Sequence, residues 1–187
     1  MSLPVMAHEQ LKRRASESNM SCCPYFASEN AHLPKVSSFG FDKRELALLE
    51  AIRHICCQYV NVDYSGTSLA LKCVGVVWGA AQASGIVFGV SNLVRAIQRC
   101  RQAPFDFIGP GCENCSKHIC YDELEVMLLL RCAVFQQIAQ VNETARRVAG
   151  HEQCDEIAQS ALELASGVRG ELLPNRSIST SSSKTRH

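Results

Sequence analysis

Three cysteines and a histidine fall within nine residues of this 187-residue chain: Cys112, Cys115, His118 and Cys120, directly after Gly111. Thiolates and neutral imidazole are the ligands of tetrahedral structural zinc. Cys112-x-x-Cys115 has the spacing at which two sulfurs grip one ion from a tight turn. Asn114 and Ser116 suit that turn. The expected metal site is therefore Cys112, Cys115, His118 and Cys120, with zinc ahead of an iron–sulfur cluster. The cluster would need the Cys-x2-Cys-x4-Cys run plus one remote cysteine. Four ligands in nine residues is a compressed arrangement, and Cys56, Cys57, Cys100 and Cys132 are the candidates for a more distant contribution. A third chemistry needs no metal. Cys-x-x-Cys can form a reversible disulfide, and a Cys120 thiolate near a helix start is favoured by the helix dipole. The βαβ setting of thioredoxin-like redox motifs is missing from the pattern.

Other chemistry is thinner. There is no Gly-rich phosphate loop, no Ser/His/Asp spacing and no His-Glu-x-x-His. Asp122, Glu123 and Glu125 are acids at a helix start, where they ordinarily complement the dipole. Cys23-Pro24 has the form of a short haem-thiolate site, and Arg13-Arg14-Ala15-Ser16 that of a basic kinase target.

The elements that must hold the cluster read as helices. Asp42 with Glu45 forms a capping box, Phe41 can staple onto Leu46, and Leu48, Ile52, Ile55 and Tyr59 make a helical stripe over 43–60. On that wheel Arg53 is placed away from the stripe. Asn61 to Gly66 is a loop. From Cys73 to Val94 no side chain is charged, with Lys72 and Arg95 on either side. That length reads either as a membrane span with small-xxx-small packing or as two buried helices near 69–82 and 86–101, meeting at Ala83-Ser84-Gly85. The buried reading is favoured because Gln82, Ser84, Ser91 and Asn92 dilute the run. It makes Trp78 and Phe88 core anchors. Ala103 to Gly111 is a rigid connector pinned by Phe105, Phe107 and Ile108. Asp122 is expected to cap a helix reaching about residue 140, with Glu125 completing its box and Tyr121 stapling onto Val126. Asn142 then caps a short helix ending near Gly150, and the stripe from Cys154 to Leu172 gives the last one before Pro174. The domain plan is an arm at 1–40 expected to be disordered, a helical domain at 41–173 with its Cys-rich connector at 103–121, and a disordered tail at 174–187. The fold class is all-α, an irregular bundle of about five helices.

The net charge of +1 gives no electrostatic case for nucleic acid or an anionic membrane. Eleven cysteines would suit a secreted disulfide framework, but residues 1–20 lack an apolar run behind Lys12-Arg13-Arg14. The count is odd and includes the adjacent pairs Cys22-Cys23 and Cys56-Cys57. A reducing cytoplasm is expected, with most thiols serving as small apolar core residues. The pattern from Gly111-Cys112-x-x-Cys115 to Asp122-Glu123 and its apolar helix resembles short bacterial helical proteins of unassigned function. That resemblance covers residues 105–135, where the turn here is longer and richer in Cys and His. It implies no functional residue.

These readings point to a non-catalytic regulatory or adaptor protein of the bacterial cytosol with a protein partner. Its Cys-rich turn would stiffen the connector and hold the following helix in place. Three alternatives stand beside it. One is a thiol- or metal-responsive transcription regulator using Arg95, Arg99 and Arg101 on phosphate. Another is an enzyme with Cys115 or Cys120 as nucleophile. The last is a membrane-associated helical protein.

Overall fold

The computed structural model describes residues 33–152 and 154–169. Cys23-Pro24, Arg13-Arg14-Ala15-Ser16 and the tail at 174–187 lie outside them.

The fold is all-α. Six α-helices carry the described chain: α1 (Lys43–Val60), α2 (Gly66–Trp78), α3 (Ala80–Cys100), α4 (Tyr121–Val134), α5 (Ile138–Ala149) and α6 (Asp155–Arg169). Short 3-10 turns at Val36–Phe39 and Cys115–Lys117 complete it. α1 packs along α2 and across α3, α3 lies against α6, and α4 is flanked by α5 and α6. One core, from Leu49 and Ile52 through Val90 and Leu93 to Leu129 and Ile157, runs through all the layers. Among the described residues no helix is long and apolar enough to cross a membrane.

The first helix is bounded as its sequence dictates. Asp42 Oδ1 accepts the N–H groups of Arg44 and Glu45 at 2.8 Å, and Glu45 Oε2 accepts the Asp42 N–H at 2.9 Å. Three otherwise orphaned donors are satisfied by this reciprocal box. Asp42→Ala should lower the stability of the bundle by about 1 kcal/mol in urea unfolding. An unchanged midpoint would mean that the box adds nothing here.

Several boundaries differ from expectation, each for a physical reason. The two central helices part at Gly79 rather than at 83–85. Gly79 takes φ +83°, and its N–H closes the last turn of α2 on Gly75. Phe88 is 67% exposed and is no core anchor, whereas Trp78 is buried. The core face of α3 is Ala83, Ile86, Val87, Val90, Leu93, Val94 and Ile97. At about 100° per residue, Phe88 falls on the opposite side of that helix. The helix expected to run to residue 140 stops at Val134, where Gln136 adopts φ +56° and α5 starts afresh. Arg169 helps hold this end, its Nη2 donating to the Ala133 carbonyl at 2.5 Å. Asn142 consequently sits inside α5 and caps nothing, although Gly150 closes the helix at φ +76° as expected. Residues 33–40, assigned to the disordered arm, are packed. Val36 is buried, Lys35 bridges to His118, and the Ile119 N–H reaches the Pro34 carbonyl at 3.1 Å.

Candidate functional site: the sulfur-bearing bend

Residues 101–120 leave α3, cross the bundle without regular structure and bend at the 3-10 turn Cys115–Lys117 into α4. Ile108 is buried and Phe105 and Phe107 are partly so, which fixes the connector as its apolar residues predict. The bend beyond it is held chiefly by a side chain that the helical wheel placed elsewhere. Arg53 of α1 is fully buried and all five of its N–H donors are used. Nε and Nη2 form a fork on Glu123 at 2.7 and 3.0 Å. Nη1 serves Glu50 at 2.9 Å and the Ser116 carbonyl at 3.2 Å, and Nη2 also reaches the His118 carbonyl at 2.6 Å.

Glu123, equally buried, accepts in addition the N–H groups of Ile108 at 3.0 Å and Cys120 at 3.1 Å. One ion pair thus ties together α1, the connector, the bend and the start of α4. A buried charge pair is tolerable only when every lone pair and proton has a partner, and here they do. Burial opposes the Arg53 charge, while the hydrogen bond and the negative field of Glu123 raise its pKa further above the ordinary arginine value.

The neighbouring acids are also committed. Asp122 Oδ2 accepts Arg101 Nη2 and the Asp106 N–H, both at 2.8 Å. Glu125 holds Arg147 Nε at 2.9 Å. Residues 122, 123 and 125 therefore tie α4 to the end of α3, to α1 and to α5. Tyr121, expected to staple onto Val126, is 65% exposed. The N-cap of α4 is Cys120 and not Asp122: its sulfur and Glu123 form the reciprocal box. The motif is shifted two residues upstream because Asp122 and Glu125 are drawn to arginines.

The four residues expected as metal ligands divide between two settings. Cys112 and Cys115 come together, their sulfurs 2.8 Å apart, and the Cys115 N–H points at Cys112 Sγ at 3.4 Å. His118 Nδ1 bonds the Asn114 carbonyl at 3.1 Å. The Cys120 thiol donates to the Asp106 carbonyl at 3.1 Å. Two thiolates on one zinc stand roughly 3.7 Å apart, given Zn–S bonds of about 2.3 Å in a tetrahedron. The Cys112–Cys115 separation is shorter, and Cys120 faces a backbone oxygen. Among the described residues no group of three or more His, Cys, Asp or Glu is placed to hold a metal ion. Cys115 is disulfide-bonded. A cleft of 420 Å³, lined by Val36, Leu49 and Glu50 on one side and Cys112 and Ser116 on the other, opens at the pair.

Nucleophile chemistry at Cys120 is disfavoured by its surroundings. Burial and the adjacent Glu123 carboxylate push its thiol pKa well up, outweighing the helix-start N–H that favours the thiolate. Two of the arginines considered for phosphate are engaged within the chain: Arg99 with Glu156 at 2.6 Å and Arg101 with Asp122. Comparison of the chain with protein-family models, curated proteins and solved structures finds no match.

Arg53 and Glu123 were missed as functional positions, yet a signal existed. Leu49, Arg53, Cys56 and Val60 follow i, i+4, i+7, i+11, and Glu123, Val126, Met127 and Leu130 follow i, i+3, i+4, i+7. Each stripe carries one charge in an apolar row, and the two charges are opposite.

Proposed function

We propose that this chain is a non-catalytic regulatory or adaptor protein: a braced helical bundle that offers an uncharged face of the α2–α3 hairpin to a protein partner. The partner would present an apolar, uncharged surface of its own. The observation that carries this reading is the outward placement of Val76 (87% exposed) and Phe88 (67% exposed) inside the chargeless span between Lys72 and Arg95. Large apolar side chains standing in solvent, with no charge among them, are the surface chemistry of protein recognition. The commitment of Asp122, Glu123 and Glu125 to structural ion pairs supports it too, since each acid already holds an arginine.

Placing a photo-crosslinking residue at position 88 in the source cell should yield one discrete protein adduct, and the same residue at exposed Gln159 should yield none. Phe88→Asp should abolish an adduct captured from position 76 while leaving thermal unfolding unchanged, because the ring buries little. Equal labelling at 88 and 159, or none at either, would remove this reading.

A further inference from the structure

On the reading that the α2–α3 face is a docking surface, its shape and charge narrow the partner further. Along the outer side of α3 the exposed residues include Ala81, Ser84, Gly85 and Phe88. Phe88 is the large side chain of that row and stands 67% exposed. One turn earlier, Gly85 is an empty position: a Cβ built on it meets no atom within 4 Å. Residues three apart are neighbours on a helix surface. A projection and a recess therefore lie side by side, separated by about 4.5 Å of rise. Ala81 and Ser84 lengthen the recess, because their side chains are small.

Such a surface is complementary to itself, since a two-fold contact lets residue i of each copy touch residue j of the other. We propose that the partner is a second copy of this chain, with the two α3 helices antiparallel and Phe88 of each copy seated on Gly85 of the other. The two-fold axis passes between positions 85 and 88. The two rings are then offset by about 4.5 Å of rise, within reach of offset stacking. Charge selects the orientation. Parallel α3 helices would set the two exposed Arg95 side chains against each other. The antiparallel register parts them by about 26 Å, well beyond a screening length of about 8 Å. From Cys73 to Val94 neither copy carries a charge. A charged partner would lose hydration on this face and meet no opposite charge in return, whereas a second copy brings none.

The size of the contact sets its strength. Ala80 to Val94 is about 22 Å of helix, and α2 packed beside it brings the width to about 20 Å. That patch is smaller than the about 800 Å² that each partner buries in a standard interface. Pairing is therefore reversible, with a dissociation constant in the micromolar range, and its extent follows the abundance of the chain. Each copy keeps its own core when the pair parts, because Val76 and Phe88 bury little within the chain.

Sedimentation equilibrium of the purified full-length chain tests this. Between about 1 and 100 μM the wild type should pass from one chain to two, and it should run as single chains in denaturing gels without reductant. Phe88→Asp sets two carboxylates beside the axis, and Gly85→Gln fills the recess. Each should raise the dissociation constant at least about tenfold while leaving helicity intact. Gln159→Asp, on exposed α6 surface, should leave it unchanged. A photo-crosslinking residue at position 88 of the purified chain should label residues 81–85 of the other copy. A monomer at every concentration, or a dimer indifferent to both α3 substitutions, would overturn the proposal. The docking reading is judged separately in the source cell. If the purified chain stays monomeric while position 88 captures a different protein there, self-pairing fails and the docking face stands. With no adduct in the cell either, both fail.

Discussion

Arg53→Met should destabilise the bundle by about 3–5 kcal/mol, read as a lower urea midpoint at unchanged slope. The substitution keeps the length of the side chain and removes its charge. It leaves the Glu123 carboxylate buried beside two backbone N–H groups and strips the Ser116 and His118 carbonyls of their donor. Most of the cost is the stranded carboxylate, because burying an unpaired charge is what makes half-removal of such a pair severe. Arg53→Met combined with Glu123→Leu should therefore lose at least about 1 kcal/mol less than the sum of the single changes. Additive losses would mean that the two side chains act separately and that the hub has been misread. A second readout is local. Trypsin cleavage after exposed Lys117 should quicken in Arg53→Met, because the guanidinium that holds the carbonyls on either side of that residue is gone.

The same pair explains how two helices with little direct backbone contact keep their register. Arg53 on α1 meets Glu123 on α4, and Glu45 on α1 meets Arg131 on α4 at 2.7 and 2.9 Å. The two sites are separated by the same eight residues on each helix, or about 12 Å of rise. α1 and α4 must then run antiparallel, and the reversed polarity makes a one-turn slip place charges against apolar neighbours. Phe41 supports the outer site, its ring 5.0 Å beneath the Arg131 guanidinium. Phe41, expected to staple onto Leu46, stacks on Phe39 and braces an ion pair.

What the sequence disclosed and what it hid follow one rule. Features governed by neighbours along the chain were legible: the Asp42 box, the helix at 43–60 (although Tyr59, read into its buried stripe, is exposed), the Gly150 stop and the apolar pins of the connector. Features decided by a distant partner were not. Glycine was available at positions 75, 79, 85 and 89, and only packing against the rest of the bundle selects Gly79 for the break. The stop at Phe135–Gln137 has no Gly or Pro to announce it. Cys120 caps α4 because Arg101 and Arg147, far away in sequence, claim Asp122 and Glu125. Within the candidate site, the proximity of Cys112 and Cys115 follows from their spacing, and the different settings of His118 and Cys120 do not.

Gly66→Ala should be the other strongly damaging change, at about 3 kcal/mol, the upper part of the range for overpacking a tight contact. A methyl group there would meet the His54 carbonyl oxygen at 2.2 Å and the Gln58 Cβ at 2.8 Å. The first obstacle is backbone in the middle of α1, so it cannot swing aside as a side-chain end would. Relief requires α2 to move off α1, and three bonds resist that movement. Thr67 donates its N–H and its hydroxyl to Gln58 Oε1 at 2.6 and 2.9 Å, and the Tyr64 hydroxyl bonds His54 Nδ1 at 2.6 Å. Gly85→Ala supplies the contrast. It lies within α3 with nothing inside 4 Å of the added carbon, so the usual gain of about 0.5–1 kcal/mol for removing a helix glycine should appear as higher stability. Opposite signs at 66 and 85 would place the cost at 66 in the α1–α2 approach and not in any general intolerance of alanine. If Gly66→Ala were neutral in thermal unfolding, α2 would have to stand farther from α1 than these distances allow.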